Sequence, residues 1–397
     1  MKTGWNRNTL GCICDIYNGN SINAEYKKKH YAGLTDGYPF IATKDVSFDG
    51  KINYDNGVRI PYDTQYKTAD KGSVFICAEG GSAGRKIALI RETVCFGNKL
   101  FCLKPKKHVQ GNFLYLYLRS DDFQSQFKEK LSGLIGGVSA KKLNDIKISY
   151  PALSEQQDIV DKINVQFSKI DKLKQNAEKE LQEVLSCLKT TISQATSFRN
   201  GWNLDTLGEL STIKGDYGLA APSRPYDISK NDFRYLRITD ITEWGELNDD
   251  IVAADIDSDI KQKPLAEGDI LFARTGATVG KTLIYRKDFG DCLFAGYLIR
   301  YRLDHERILP RYMFYVTHSD IYYKWVAQKQ KVAAQPNISA KLYNQYPIAY
   351  PSVEEQKVII SDLDHIFSKV MLLQTSYDKI TKECEALKQS ILREIFD

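Results

Sequence analysis

The sequence predicts an α+β fold: two pseudo-repeated α/β modules separated by two long antiparallel coiled-coil helices. Three observations carry this. First, Gly4-Trp5-Asn6, Thr9-Leu10-Gly11, Tyr150-Pro151, Glu155-Gln156 and Phe167-Ser168-Lys169 return about 200 residues later as Gly201-Trp202-Asn203, Thr206-Leu207-Gly208, Tyr350-Pro351, Glu355-Gln356 and Phe367-Ser368-Lys369. Second, each copy ends in a long amphipathic stretch free of Gly and Pro. Third, the interiors hold short apolar runs that break on glycine-rich turns, the pattern of strands and hairpins. A shared frame around two unlike inserts presents two different surfaces at a fixed separation.

These observations place a first module over 1–150, a central spacer helix over 151–200, a second module over 201–350 and a C-terminal spacer helix over 351–397. In the modules, Ser73-Val74-Phe75-Ile76-Cys77 and Asp269-Ile270-Leu271-Phe272-Ala273 read as strands. The stretches 112–118 and 311–316 read as short amphipathic helices. Ser154 and Ser352 are placed to cap the two long helices, Ser154 with Gln157 as a capping box. In the second helix Ile359, Leu363, Ile366, Val370, Leu373, Tyr377, Ile380, Cys384, Leu387 and Ile391 alternate spacings of four and three, a heptad seam. The first helix offers Val160, Ile163, Phe167, Ile170, Ala177, Leu181, Val184 and Leu188, interrupted by Lys174. At 1.5 Å per residue such a helix is about 65 Å long and needs a partner for its seam. The nearest partner is the other helix of the same chain, held at a fixed effective concentration, and a helix of another chain is the competing partner. Packing is expected at Ile163, Phe167, Ile170, Leu181, Leu363, Phe367, Val370, Ile380 and Leu387.

Composition bounds the function. The chain has 397 residues, 43% hydrophobic and 26% charged, ordinary for a globular protein of two to four domains. No apolar run is long enough to cross a membrane, and Met1-Lys2-Thr3-Gly4-Trp5-Asn6-Arg7 has no signal-like core, so the expected location is cytoplasmic. The eight cysteines are scattered with no matching CxxC pairs, which favours reduced, buried thiols over a zinc site. No metal site is expected. Charge is uneven: residues 1–150 carry 23 Lys and Arg against 14 Asp and Glu, whereas 201–350 carry 19 against 20. The first module therefore suits a phosphate-bearing partner. The second is neutral but has nine arginines against five in the first, and arginine suits bidentate contacts.

Catalytic motifs fall away one by one. The segment 268–282 contains Gly276, Gly280 and Lys281, but a phosphate-cradling loop needs four residues between its first glycine and the Gly-Lys pair, and three stand here. The next residues, Leu283-Ile284-Tyr285-Arg286, read as a strand and not as the helix that would hold phosphate. A tight hairpin with a basic tip is the better reading, with a counterpart over 72–85. Asp15 with Glu25-Tyr26-Lys27 fits a nuclease pattern only loosely, and that lysine opens a run of three. No Asn/Asp-Pro-Pro-aromatic methyltransferase motif occurs. The five histidines have no acid–base spacing, and His365 falls in the spacer helix. No catalytic residue is assigned.

The motifs together resemble one family. Gly268-Asp269-Ile270-Leu271-Phe272-Ala273-Arg274-Thr275-Gly276-Ala277-Thr278-Val279-Gly280-Lys281 looks like the signature of type I restriction–modification specificity subunits. The Tyr-Pro, Glu-Gln and Phe repeat at 150–167 and 350–367 looks like the entrance to that family's conserved helical regions. Gln335-Pro336-Asn337-Ile338-Ser339 is similar to its approach to the second helix, while Gly136-Gly137-Val138-Ser139 departs from it. The resemblance covers the whole chain. It implies two target-recognition domains on double-stranded DNA, each reading half of a bipartite sequence. It also implies two docked methyltransferase subunits and, in the full assembly, restriction/translocase subunits. S-adenosylmethionine, ATP and Mg are then expected in the partner subunits and no cofactor in this chain. Two other readings stay open: a related system whose partner chain combines methylation and cleavage, and a coiled-coil scaffold that binds proteins only.

Candidate DNA contacts are the basic side chains on expected loops. Lys27, Lys28 and Lys29 form one run. Arg85 with Lys86, and Arg274 with Lys281, flank glycine turns where missing side chains let backbone approach DNA. Lys141, Lys142 and Lys341 precede the spacer helices, and Lys329 and Lys331 bracket Gln330. For each, a solvated surface or a plain hairpin is the competing reading. Different inserts on one frame predict an asymmetric target.

Overall fold

The structure, a computed structural model, describes residues 4–132, 136–256, 264–330 and 337–397. The chain divides into two compact units, Met1–Ala177 with Asp378–Asp397, and Glu178–Tyr377. Each is described by itself.

Unit 1 is built on a four-stranded antiparallel sheet in the order Cys14–Asn18, Leu100–Pro105, Val74–Cys77, Ile87–Leu89. Val74 to Cys77 are all buried, which explains an unbroken apolar run in place of alternation. A second sheet runs Arg59–Ile60, Tyr38–Ile41, Val94–Phe96, Thr68–Ala69, with the central pair parallel. Helices Gly111–Tyr117 and Asp121–Glu129 pack Phe113, Leu114, Phe123 and Phe127 into the core. Unit 2 repeats the first sheet as Ser211–Tyr217, Leu298–Leu303, Ile270–Ala273, Thr282–Ile284, all antiparallel. Its helix Pro310–Thr317 starts on a proline at N1, where no N–H is needed.

The repeated residues of the sequence turn out to be one clamp built twice. A two-stranded ribbon, Asn6–Thr9 with Lys147–Tyr150 in unit 1 and Asn203–Thr206 with Pro347–Tyr350 in unit 2, leads into each long helix. Gln156 is fully buried; its Oε1 accepts from the Gln110 N–H at 2.9 Å and its Nε2 donates to the carbonyls of His108 and Pro151. Gln356 does the same with the Leu309 N–H and the carbonyls of Arg307 and Pro351. Trp5 Nε1 donates to Glu155, and Trp202 Nε1 donates to Glu355, both at 3.2 Å. A buried amide is retained because all its bonds are made, and breaking one leaves an orphan polar group.

The long helices are Leu153–Ala195 and Val353–Phe396. In unit 1, Asp171 meets Lys388 at 2.5 Å and Lys174 meets Glu385 at 3.2 Å, while Leu392 and Phe396 share a core with Val160 and Ile163. In unit 2, Leu188 and Ile192 pack with Leu363, Phe367 and Val370. Rising numbers on one helix meet falling numbers on the other, so the pairing is antiparallel. Ile163, Ile170, Leu181, Leu363, Phe367 and Val370 are buried and Phe167 is half-buried under the Lys388 ammonium.

Two expected packing residues are not packed: Ile380 is 40% exposed and Leu387 52%. The second helix turns Gln374, Thr381, Cys384 and Lys388 inward there, all half-buried, and presents the other apolar stripe outward. Ser154 is not a cap either. The Gln156 N–H already bonds the Ala152 carbonyl, which starts the helix earlier. Ser352 does cap its helix, accepting from the Glu355 N–H at 3.2 Å. Among the described residues no helix is long and apolar enough to cross a membrane.

Candidate nucleic-acid interface

Strand directions bring a set of loops to one end of each unit. In unit 1, Cys14–Asn18, Tyr38–Ile41, Val74–Cys77 and Val94–Phe96 all finish at the end where Leu100–Pro105 begins. The loops there are stitched by backbone bonds: Asn20 N to Phe96 O, Gly97 N to Ile41 O, Ala78 N to Lys99 O and Val138 N to Ala78 O, all between 2.9 and 3.0 Å. A hollow of about 230 Å³ opens among them, lined by Asn20, Lys27, Phe40, Lys44, Asn98 and Lys99. Three ammonium groups and two amides around a hollow are donors of the kind that anionic oxygens accept from. Lys27 is half-buried with its Nζ 4.8 Å over the Phe40 ring, and Lys44 is exposed. Lys99 pairs with Glu79 at 3.0 Å on the surface, a contact weak enough to exchange for a phosphate.

Unit 2 builds the same end from different side chains. Leu219 N bonds Phe294 O, Arg274 N bonds Tyr297 O and Ile338 N bonds Arg274 O. Where unit 1 has Ala78 and Lys99, unit 2 has Arg274 and Tyr297. Tyr297 is 61% exposed, and the Arg274 guanidinium lies 4.9 Å from the Tyr217 ring.

The candidate residues divide on this geometry. Lys27, Lys28 and Lys29 lie not on a loop but in the helix Ala24–His30, capped by Asn23. Arg85 is exposed, its guanidinium 4.8 Å from the Phe48 ring. Lys86 turns inward and donates to the Thr43 carbonyl at 2.9 Å; Lys281 likewise donates to the Ile241 carbonyl at 3.2 Å. Both lysines hold the neighbouring loop, which corrects the expectation of a basic tip. The glycines divide too. Gly80 and Gly276, at φ 76° and 70°, have open space around them. A Cβ on Gly84 would lie 2.6 Å from Phe127, and one on Gly280 2.9 Å from Val326, so these two admit a helix and not DNA. Lys141 and Lys341 are exposed on the short helices Ala140–Asn144 and Ala340–Tyr343, and Lys142 donates to the Lys130 carbonyl. Lys329 sits 5.9 Å from the Trp325 ring on the helix Asp320–Gln330. Lys331, with Gln335 and Pro336, lies outside the described residues.

Lys44, Lys99, Tyr217 and Tyr297 are not singled out by sequence reasoning. One signal for Lys44 is present. The loop turn Ala42-Thr43-Lys44-Asp45 recurs as Arg237-Ile238-Thr239-Asp240, each aspartate buried and accepting the N–H three residues before it at 2.8 to 2.9 Å. The loose nuclease pattern does not gather: Asp15 sits on a strand paired with Lys106 at 3.2 Å, and Glu25 lies in the first turn of the helix Ala24–His30. Among the described residues no group of three or more His, Cys, Asp or Glu converges as metal ligands would.

Two modules with one frame, each exposing an equivalent loop end with different chemistry and each joined to long paired helices, define a double-headed recognition protein. A family model described as the type I restriction modification DNA specificity domain matches residues 2–183 and again 199–382, and the chain belongs to that family. It is 22% identical over 426 residues to the type I restriction enzyme StySPI specificity subunit of Salmonella potsdam, covering all of this chain and 89% of that one. It is also 22% identical over 430 residues to the EcoBI specificity subunit of Escherichia coli, covering 86% of it. Among solved structures, a chain from a study of complex assembly and conformational transition in the type I system shares the fold. That match has a TM-score of 0.71 and 19% identity over 99% of this chain and 97% of the other.

Proposed function

We propose that this chain is the non-catalytic, sequence-reading subunit of a type I restriction–modification complex, each unit addressing one half of an asymmetric bipartite DNA target. The observation that carries the reading is the pair of equivalent loop ends. The clamps that frame them are alike, but one end is lysine-lined and the other carries arginine and tyrosine. Identical heads would read a palindrome; unlike heads read unlike half-sites. The paired helices act as the spacer between half-sites. Two methyltransferase subunits dock on the chain and restriction/translocase subunits complete the assembly. S-adenosylmethionine, ATP and Mg are bound by those partners. Support for docking comes from Ile366, Leu373, Ile380 and Leu387, exposed at seven-residue intervals on the second long helix. An apolar stripe of that kind marks an interaction face.

The test is a salt titration of duplex binding by the chain assembled with its methyltransferase partner, followed by methylome sequencing of cells carrying both. Binding that falls steeply with salt, and methylated adenines in one bipartite asymmetric motif, are expected. No affinity for random duplex at low salt, or a symmetric motif, would overturn the reading. Inserting or deleting a heptad within 170–190 should change the gap between half-sites.

A further inference from the structure

The nine arginines of residues 201–350 sort into two kinds. Eight commit a terminal guanidinium nitrogen inside unit 2. Arg224 bonds Asp232, Arg234 the Asn248 carbonyl, Arg237 both Asp240 and Asp250, and Arg286 Glu246. Arg300 bonds Asp216, Arg302 Asp269, Arg307 Asp205 and Arg311 Asp364. These hold the fold together. Arg274 differs: among the described residues neither of its terminal nitrogens has an acceptor.

Arg274 is nevertheless held in place. Its N–H bonds the Tyr297 carbonyl at 3.1 Å and its carbonyl accepts from Ile338 N at 2.9 Å. Its Nε donates to Asn337 Oδ1 at 3.3 Å, and its guanidinium stacks 4.9 Å from the Tyr217 ring. That ring is itself anchored, since its hydroxyl accepts from the Ala340 N–H at 3.0 Å. The face and the inner edge of the guanidinium are thus occupied while Nη1 and Nη2 remain as two parallel donors. A fork fixed before binding loses little entropy on binding. Its geometry fits the N7 and O6 acceptors that guanine presents in the major groove. The neighbours favour a base over a phosphate. Among the described residues, those that adjoin its guanidinium, Tyr297, Thr275 and Asn337, are flat or polar and uncharged, and Lys281 is turned inward onto Ile241. Unit 1 has Ala78 in this place, so the feature belongs to one head.

We propose that Arg274 is the base-edge reader of unit 2 and that the base pair it reads is G·C. The proposal rests on the DNA-recognition reading of this chain. The experiment selects bound sequences from a duplex pool randomised over both half-sites, using the complex assembled with methyltransferase subunits, for the wild type, Arg274→Ala and Arg274→Lys. Both variants should lose preference at one G·C position in one half-site, by roughly ten- to a hundredfold, and leave the other half-site unchanged. Arg274→Lys keeps the charge and removes the fork, and it decides alone if Arg274→Ala fails to assemble. The proposal is overturned if Arg274→Lys selects the wild-type motif, if Arg274→Ala weakens all sequences equally as a phosphate contact would, or if the relaxed position is A·T. A wild-type complex that enriches no motif defeats the recognition reading instead.

Discussion

His318 shows how much a single side chain can commit to structure with no sign of it in the sequence. It is 2% exposed, stacked on Trp244 at 5.5 Å and wedged against Phe314, with Nδ1 2.7 Å from the Phe314 carbonyl and Nε2 3.2 Å from the Glu243 carbonyl. A neutral ring carries one N–H, so it donates to one of these two carbonyls and not to both. Burial pushes the imidazole down to about 4 from its ordinary 6.5, a shift that the two carbonyls oppose and the nearby Arg311 reinforces. Between those values the unfolded chain binds a proton that the folded chain does not, so stability is whole above about pH 6.5 and is lost as pH falls toward 4. The loss at pH 5 is about 2 kcal/mol. Thermal melts at pH 7 and 5 should therefore show a steeper fall for the wild type than for His318→Gln, which still donates but does not titrate; equal falls would contradict this account. Lys86 and Lys281 teach the same lesson. A lysine beside a glycine turn reads as a surface contact, yet these two reach loop carbonyls 43 and 40 positions earlier, contacts set by tertiary structure.

At the scale of elements, periodicity made the long helices legible but not the face each one buries. The second helix carries two apolar stripes. One contains Leu363, Phe367, Val370, Leu392 and Phe396, which pack; the other contains Ile366, Leu373, Ile380 and Leu387, which do not. Spacing alone cannot rank them, because the packed stripe is interrupted by Gln374, Thr381 and Lys388 and so looks the poorer seam. Lys174, an interruption in the first helix by sequence, is matched by Glu385, and Asp171 by Lys388. Leu392→Ala should then cost about 3 kcal/mol in urea unfolding, through lost transfer energy and a cavity beside Phe396. Leu387→Ala should stay within about 0.5 kcal/mol, as an exposed position does, while weakening co-purification with the methyltransferase subunit. A large stability loss at Leu387 with none at Leu392 would reverse the assignment of faces. The module helices and the strands at 73–77 and 269–273 were legible for a simpler reason: their apolar runs are bounded by Gly, Pro or Ser, and burial on both faces leaves no alternation to confuse.

For the molecule as a whole, the repeat was visible because the same mechanical task is done twice by the same residues, and the heads were opaque because they share few residues. Tyr150 and Tyr350 brace the two ribbons through Asn8 and Asp205, while Trp5 with Trp202 and Gln156 with Gln356 tie the start of each long helix to its module, and an apolar side chain in place of the buried amide would leave its three partners unsatisfied. At the loop ends no such constraint acts, so charge was legible there and placement was not. The excess charge of the first module is placed in part around the hollow of unit 1, at Lys27 and Lys44, with Lys141 exposed on the helix that follows the neighbouring loop. Unit 2 offers one guanidinium with both terminal nitrogens open among its described residues. On the proposed reading, two heads so built would bind with different physics. Each phosphate neutralised by a lysine releases counterions and adds about 0.9 to the slope of log affinity against log salt, whereas a base-edge contact adds discrimination and little slope. Replacing Lys27, Lys44 and Lys141 together by Gln should therefore lower that slope by roughly 2 to 3 and weaken all duplexes alike. Arg274→Lys should leave the slope unchanged and alter which duplexes are preferred. Fluorescence anisotropy of the assembled complex, titrated with salt on the selected duplex and on a scrambled one, separates the two effects. A triple variant whose slope matches the wild type would show that the lysine-lined hollow of unit 1 does not hold the DNA backbone.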